Sequence, residues 1–456
     1  MNKFIYTTLI FGALCCTTAC RKYVEIPSDN LKVLKLTSDY QQLMYNTTTM
    51  NYTYLAPAYA ASDFGTDEAV WLNQLSLSIS NVYTWADRLY TTTEDDAQWT
   101  NLYKQIFIAN TVIGGVMSSE KGTDAEKLSA LSSAYMHRAF AYYTLVNIYG
   151  KQYDTATAAT DPGVPLVMST DFFTDLTRAS VQKVYDLITA DLNQALPGLP
   201  DLPDYNSNPS KSGAYAILAR VELNRRNFTE SERYANLALG LKSTLLDLSA
   251  YTVVPLTIPT RIFNPEVIFF KQVQISTSFP LSPDMLSLFT ANENTLKDLR
   301  YTMFTKPGTD VTYSHFTTRG FFRQTMDGVY NGPSVPEMLL IKAECEARAG
   351  NTAAALTALN TLRIKRFKTA DYIAATAADA NTALHLVIDE RGREFMGTGF
   401  KWFDQRRLSK DAGFVPTITR VFKDVTYTLE PGGNRYTFAI ADKYTLLNPE
   451  IVQNPR

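Results

Sequence analysis

Residue types that carry covalent or metal chemistry are scarce in this chain of 456 residues. There are four Cys and three His, and three of the Cys fall within the first twenty residues. The usual zinc, nucleophile and phosphate-loop signatures are absent: the chain has no CxxC, HExxH, GxSxG, Walker A or GxGxxG sequence. A catalytic triad built from distant positions remains an alternative, because triads are recognised by their geometry and not by the spacing of their residues along the chain.

Two groups of carboxylates could still bind a metal or act as acid and base. Glu390 and Glu394 are four residues apart, beside Arg391 and Arg393. This pattern favours an ion-paired helix face over a metal site or an acid–base pair. The acidic run at residues 94–96 precedes a predicted helix, where acids suit the positive end of the helix dipole. A structural calcium ion is the alternative there; otherwise we expect no cofactor.

The overall composition excludes some classes of protein. The hydrophobic fraction is 45%, the charged fraction is 19% and the formal net charge is -2. These values are typical of a globular chain and not of a disordered one. A nucleic-acid-binding protein would need a basic surface, so we expect no nucleic-acid partner.

The N-terminus has the features of an export signal that ends in a lipid anchor. Lys3 precedes a mostly apolar run at residues 4–16, which is too short to span a bilayer, and small residues lead to Cys20. We predict a lipoprotein signal peptide over residues 1–19, with lipid attached to Cys20. An ordinary secretory signal is the alternative. We predict a lipidated tether over residues 20–30 and a single domain over residues 31–456.

Apolar residues recur at three- and four-residue intervals, which predicts amphipathic helices over residues 99–113, 128–146 and 181–196. Two helix pairs then resemble each other. The first comprises residues 214–225 and 230–241, and the second comprises residues 336–349 and 353–367, each joined by a short polar turn. Small residues and short turns are typical of tetratricopeptide (TPR) hairpins.

Residues 251–333, between the two pairs, have a different character, with scattered Pro and clusters of Tyr, Phe, Gly and Thr. They predict loops with short strands, and an insertion of this length is usually functional. The fold class predicted is therefore mostly α: TPR-like helix pairs form a scaffold that packs against a loop-rich region with short strands.

An ordered set of short fragments, spread over almost the whole chain, is similar to the SusD/RagB family of Bacteroidetes outer-membrane lipoproteins. None of these fragments is specific to the family by itself, but their order along the chain is. The fragments are WTNLYKQI at 99–106, PGVPLV at 162–167, RASV at 178–181, NPEVIF at 264–269, EMLLIKAE at 337–344, NTLR at 360–363, DERGREF at 389–395, KWFD at 401–404 and QNP at 453–455.

The resemblance implies a protein without catalytic activity, anchored by lipid to the outer membrane and facing outward. It implies that the chain captures a glycan or another nutrient and delivers it to a TonB-dependent, SusC-like transporter. It also implies a SusD-like fold whose ligand site draws on the loops before the Trp99 helix and on the mid-chain insertion.

Sugar rings present apolar faces to aromatic side chains and hydroxyl groups to charged and amide side chains. We therefore predict ligand-binding residues of these types in the two loop regions. They are Asp67, Trp71, Tyr83, Trp85 and Arg88 in the first region, and Tyr301, Tyr313, Phe322, Arg323 and Tyr330 in the second.

Two other functions are compatible with the residues alone. A TPR-type scaffold or adhesin would bind protein through its helices and would not need the aromatic insertion. A glycoside hydrolase would need two suitably separated carboxylates, and sequence does not show their separation. Release of reducing ends from polysaccharides separates a hydrolase from a binding protein.

Overall fold

A computed structural model describes residues 34–171, 174–253, 256–273, 279–308, 319–325 and 327–456. The predicted lipid site Cys20, the tether that follows it and the predicted ligand residue Tyr313 lie outside the described residues. Within the described residues the fold is mostly α with short strands, which confirms the predicted fold class.

The described residues form eighteen α-helices, α1 to α18 in chain order. In the first half of the chain they are α1 (Thr37–Met44), α2 (Thr47–Met50), α3 (Ala56–Ala60), α4 (Ala69–Leu72), α5 (Leu77–Tyr83), α6 (Ala97–Gly115), α7 (Asp124–Tyr149), α8 (Val181–Ala195), α9 (Lys211–Arg225) and α10 (Phe228–Leu241). In the second half they are α11 (Pro283–Thr290), α12 (Glu293–Leu296), α13 (Leu299–Met303), α14 (Val335–Arg348), α15 (Thr352–Arg363), α16 (Ala380–Glu394), α17 (Phe400–Leu408) and α18 (Asp442–Leu447).

Among the residues that the structure describes, the strands form three small antiparallel sheets. They are β1 (Pro162–Pro165) with β2 (Arg178–Ser180), β3 (Phe279–Pro280) with β5 (Arg319–Phe321) and β4 (Thr305–Pro307), and β6 (Ile418–Phe422) with β7 (Val425–Leu429). The middle sheet lies in the insertion and has the strand order β3–β5–β4.

The predicted helix pairs are confirmed, and they pack in sequence. Helices α6, α7 and α8 pack side by side, and α9 with α10 and α14 with α15 form the two similar hairpins. Helix α10 also packs against α14, so the hairpins are neighbours in space although the insertion separates them in sequence. Ala219, Ala235 and Cys345 are buried in the cluster between them, where small side chains allow close approach.

The helix ends follow local capping chemistry. The Asp96 side chain accepts hydrogen bonds from the N–H groups of Gln98 and Trp99 and so caps α6. Ser180 caps α8 by accepting from the N–H of Lys183. The acidic run before α6 therefore acts at the helix N-terminus, as favoured from the sequence.

The insertion contains helices α11, α12 and α13, which the sequence pattern does not predict. They are four to eight residues long, so each offers too few turns for a periodic stripe to be recognised. No helix within the described residues has the length and apolarity needed to cross a bilayer. The largest buried apolar cluster draws residues from Tyr54 to Ile451.

Candidate functional site

The two loop regions in which the sequence predicts ligand residues are in contact. The Ser282 N–H donates to the Asp63 carbonyl over 2.9 Å. Phe64 and Leu281 form an antiparallel bridge beside it. The loop after α3 therefore packs against strand β3, and the two regions form one continuous part of the molecule.

Aromatic rings fill this junction. The ring centre of Phe279 lies 4.3 Å from that of Phe64, 4.5 Å from that of Tyr59 and 6.2 Å from that of Trp71. Phe321 of strand β5 adds a ring 6.3 Å from Phe64. All five side chains are buried. The junction is a hydrophobic core that holds strands β3 and β5 against the loop.

Three predicted ligand residues belong to this core, and their assignment as stacking platforms is wrong. Trp71, Tyr83 and Trp85 are 3%, 1% and 1% exposed, so protein atoms cover their ring faces. The Trp85 Nε1–H donates to the carbonyl of Ala60 over 3.0 Å, and the Tyr83 hydroxyl accepts from the N–H of Thr66 over 3.1 Å. The polar ends of these rings are satisfied internally, as expected of core aromatics.

The Arg420 side chain holds this part of the core together. Its guanidinium carbon lies 4.1 Å from the ring centre of Tyr83 and 4.5 Å from that of Trp85. The guanidinium donates to four backbone carbonyls, those of Tyr59, Ala61, Phe64 and Tyr83, and so ties the end of α5 to the loop after α3. Burial lowers the pKa of Arg420 to about 10. This arginine acts as a structural clamp on the loop.

Tyr330 is also core, which corrects its assignment as a ligand residue. It is 8% exposed and forms a small buried cluster with Val267 and Phe270. Burial raises the pKa of its hydroxyl well above the usual value. Its ring therefore has no free face for a sugar.

Two predicted polar residues of the first region are at the surface. Asp67 is exposed on the loop before α4. The Arg88 side chain is 76% exposed, and its Nε lies 3.5 Å from a carboxylate oxygen of Asp442. Neither side chain is buried by the aromatic junction, and their roles in binding stay predictions.

The remaining predicted residues, Tyr301, Phe322 and Arg323, lie beside strands β4 and β5. We call these three residues, with Lys306 and Arg319, the cationic face. In the strand register Lys306 pairs with Gly320 and Pro307 with Arg319. All five members are half-buried, so part of each is accessible to a ligand.

Cations of the cationic face lie over its aromatic rings. The Lys306 Nζ lies 4.2 Å from the ring centre of Phe322, and the Arg323 guanidinium carbon lies 4.5 Å from it. The Arg319 guanidinium carbon lies 4.2 Å from the ring centre of Tyr301, and its Nη2–H donates to the Tyr301 carbonyl over 3.0 Å. These rings hold cations in place by cation–π attraction.

A buried ion-pair network holds the helix that carries Tyr301 of the cationic face. Arg300 precedes Tyr301 and is fully buried. It donates to Asp298 over 2.9 Å, to Glu390 over 2.5 Å and to Glu394 over 2.6 Å. The network fixes helix α13 to helix α16, and so it positions the ring of Tyr301 and the strand that follows.

The same network shows what the carboxylates of Glu390 and Glu394 do in this structure. Glu390 also accepts from Arg363 and Arg393, and Glu394 also accepts from Arg366. The predicted ion pairing is confirmed, but the pairs are buried and not on a solvated helix face. Burial opposes ionisation of Glu390, yet the surrounding arginines hold its pKa well below the usual range. A permanently ionised, fully paired carboxylate is unsuited to proton transfer.

No group of three or more His, Cys, Asp or Glu in the described ranges is arranged to hold a metal ion. In the acidic run before α6, Asp96 is 0% exposed and its side chain also accepts from the Tyr149 hydroxyl. Asp95 pairs with Lys443 over 2.7 Å. A calcium ion at this run stays untested as a prediction.

Lys306 and Arg319 belong to the cationic face but are not among the ligand residues predicted from the sequence. Tyr301 and Phe322 can be predicted as ligand residues because they are aromatic. The cations reach those rings only through the pairing of β4 with β5, which the sequence does not show. One signal was available, since residues 299–308 and 319–325 contain no Asp or Glu.

The fold and this site define a class of protein: a mostly α scaffold of TPR-like helix pairs with an insertion that presents a half-buried surface of rings and cations. Two family models match the chain. Residues 22–223 match a SusD-like model described as starch-binding and associating with the outer membrane. Residues 300–456 match a model described as the SusD family. The chain belongs to the SusD/RagB family.

Solved structures share the fold. A SusD superfamily protein from Bacteroides thetaiotaomicron has a TM-score of 0.73 at 19% identity, over 92% of this chain and 100% of that one. A SusD-like carbohydrate-binding protein from Bacteroides vulgatus has a TM-score of 0.67 at 20% identity, over 92% and 98%. A laminarin-binding SusD-like protein has a TM-score of 0.63 at 16% identity, over 93% and 100%.

Among named relatives, the SusD-like protein P2 of Formosa agariphila is 31% identical over 148 residues. That match spans 32% of this chain and 27% of the relative, or about a quarter of its length.

Proposed function

We propose that this chain is a nutrient-capture lipoprotein of the outer membrane. Lipid on Cys20 would hold it at the cell surface, where it binds a glycan and passes it to a TonB-dependent, SusC-like transporter without chemical change. The observation that carries the proposal is membership of the SusD/RagB family, with model matches over residues 22–223 and 300–456.

The names of relatives support a glycan as the ligand. One family model is described as starch-binding, and structures with the same fold are named as carbohydrate-binding and laminarin-binding proteins. The half-buried rings and cations of the cationic face offer this chain a surface that can contact a saccharide.

The state of the carboxylates supports capture without turnover. A glycoside hydrolase needs one carboxyl group that donates a proton and a second that acts as nucleophile or base. The Glu390 and Glu394 carboxylates are engaged by arginines and buried. They are therefore unavailable to a glycosidic bond.

Affinity electrophoresis tests the proposal with the protein of residues 21–456. Its migration is compared in gels that contain starch, laminarin, pectin, xylan and other polysaccharides, and the same mixtures are assayed for reducing ends. We expect retardation by at least one polymer and no release of reducing ends. Release of reducing ends would favour a hydrolase, and absence of retardation by every polymer would contradict glycan capture.

Anchoring and partnership need a second experiment in the native host. We expect the wild-type chain in the outer-membrane fraction and Cys20→Ser in the soluble fraction. A pull-down on the wild-type chain should recover a TonB-dependent barrel. Recovery of other surface proteins without a barrel would favour the scaffold or adhesin alternative.

A further inference from the structure

A groove separates part of the insertion from the helical scaffold. Its walls are the end of α11, helix α12, helices α15 and α16, and the loop at residues 373–376. The groove has a volume of about 470 Å³, and small-molecule sites have volumes of roughly 300–1,000 Å³. None of the ligand residues predicted from the sequence is among the described residues that line it. The groove is therefore a feature apart from the cationic face.

Helix α11 lies between the groove and the cationic face. The ring centre of Phe289 lies 5.6 Å from that of Tyr301, a member of the cationic face. The preceding residue, Leu288, lines the groove, and its carbonyl accepts from the Nη1–H of Arg393 over 3.1 Å. Adjacent side chains of an α-helix point about 100° apart. Two sides of one helix thus belong to the two surfaces.

Two residues that line the groove carry buried polar atoms without a partner. The Nε of Arg363 and the Oδ1 of Asn294 are buried, and neither has a hydrogen-bond partner. Arg363 is 6% exposed, and the one hydrogen bond of its guanidinium among the described residues runs from Nη1 to Glu390 over 2.8 Å. Buried polar groups are nearly always hydrogen-bonded, because an unmet donor or acceptor costs free energy. A ligand in the groove would supply these partners.

Asp389 adds an accessible acceptor to the same groove. Its side chain is exposed, and its carboxylate forms no hydrogen bond or ion pair with the other described residues. The walls beside these polar groups are apolar and include Leu288, Leu359 and Leu386. A cation with an unused N–H and a carboxylate line one groove, so a ligand with net charge of either sign would be repelled by one of them.

We propose that this groove is a second binding site, which takes a short neutral saccharide. Its hydroxyl groups accept from Arg363 and donate to Asp389 and Asn294, because each hydroxyl is both a donor and an acceptor. The apolar faces of its rings lie on the leucine side chains. This proposal rests on the proposed function for the kind of ligand, and it adds a site to the cationic face.

Methyl NMR of the protein of residues 21–456 tests the proposal at the groove itself. Ile373 lines the groove and is 62% exposed, so its δ1 methyl group reports on a bound ligand. The δ1 methyl of Ile418 in β6 is the control. The probes are maltotriose, laminaritriose, xylotriose, the oligosaccharide from the polymer that retards the protein most strongly, and trigalacturonate as an acidic counterpart. We expect a saturable shift of the Ile373 signal with at least one neutral saccharide, none with trigalacturonate, and none at Ile418.

Variants then assign the shift to the groove. Asp389→Ala combined with Asn294→Ala should weaken the binding detected at Ile373 about tenfold or more. Glu293→Gln is the matched control, because Glu293 is exposed beside Asn294 but does not line the groove, and the substitution should change nothing. An unchanged response in the cooperatively folded double variant, or a lost response in the control, would overturn the proposal.

Failure of the second site can be told from failure of the proposed function. If calorimetry detects an oligosaccharide but no saccharide shifts Ile373, the second site is overturned and glycan capture stays intact. The same holds if trigalacturonate shifts Ile373 as strongly as the neutral saccharides do. If no saccharide binds by either method, the proposed function fails and the second site falls with it.

Discussion

The guanidinium carbon of Arg420 lies 4.5 Å from the ring centre of Trp85, and both side chains are buried. Trp85 has a φ angle of 52°, in the left-handed region that non-glycine residues rarely adopt. The stacking and the hydrogen bond from Nε1 to Ala60 keep it there. The pair therefore supports the loop that packs on strand β3.

Trp85→Ala should lower stability and leave binding in place. Removing a large buried side chain leaves a cavity, and we expect the free energy of unfolding to fall by about 3–5 kcal/mol. Denaturant unfolding gives the loss, and affinity electrophoresis below the unfolding transition gives the binding. A stable Trp85→Ala protein that no longer binds glycan would contradict the structural role.

Asp63 should make the protein less stable as pH rises. Burial raises the pKa of this carboxyl to about 6, and the Gly397 N–H and nearby cations only partly offset the burial. Its contribution to stability is fully present below the unfolded-state pKa of about 4 and is lost as pH rises through about 6.

Asp63→Asn should therefore be more stable than wild type at pH 7.5, by about 1–3 kcal/mol. The advantage should shrink toward pH 4.5, where the wild-type carboxyl is protonated in the folded state. The amide can still accept from the Gly397 N–H, whose distance to the carboxylate is 3.2 Å. Unfolding at several pH values checks this, and a pH-independent difference would contradict it.

Breaking the buried network should be far more damaging than breaking a surface pair. Arg300→Gln leaves Asp298, Glu390 and Glu394 without a shared cation, and we expect a loss of about 3–5 kcal/mol. The matched control is Arg233→Gln. Arg233 is half exposed in its pair with Glu230, so the loss should be below about 1 kcal/mol. Similar losses in the two variants would show that the network is not a structural support.

Cys345 should be unreactive in the folded protein. It is the single Cys after residue 20. It is 2% exposed, and burial raises the pKa of its thiol to about 12. The thiolate is the reactive form. Ellman's reagent should therefore label the protein of residues 21–456 only when denaturant unfolds it. Fast stoichiometric labelling of the native protein would contradict the packing of α10 against α14.

Much of the scaffold could be predicted, because long amphipathic helices repeat their pattern over several turns. Helices α6 to α10, α14 and α15 are of this kind. The contact between the two hairpins could not be predicted. It depends on where residues 251–333 leave and rejoin the scaffold, which local patterns do not encode.

The site could be located by region but not by residue. Trp85 stands in a polar stretch of sequence, and nothing nearby shows that Arg420, far along the chain, covers its ring. Phe322 looks equally suitable, yet it stays half-buried beside Lys306. Long-range packing, and not residue type, determines which of the two rings is buried.

Calorimetric titration of three proteins with one oligosaccharide tests the central claim most directly. The proteins are wild type, Phe322→Ala and Trp85→Phe, and the oligosaccharide is derived from the polymer that retards wild type most strongly. We expect saturable binding to wild type and Trp85→Phe, and affinity about tenfold or more weaker for Phe322→Ala, because Lys306 and Arg323 lose their support. Full affinity in Phe322→Ala with loss in Trp85→Phe would contradict the claim that this protein captures its glycan at the cationic face.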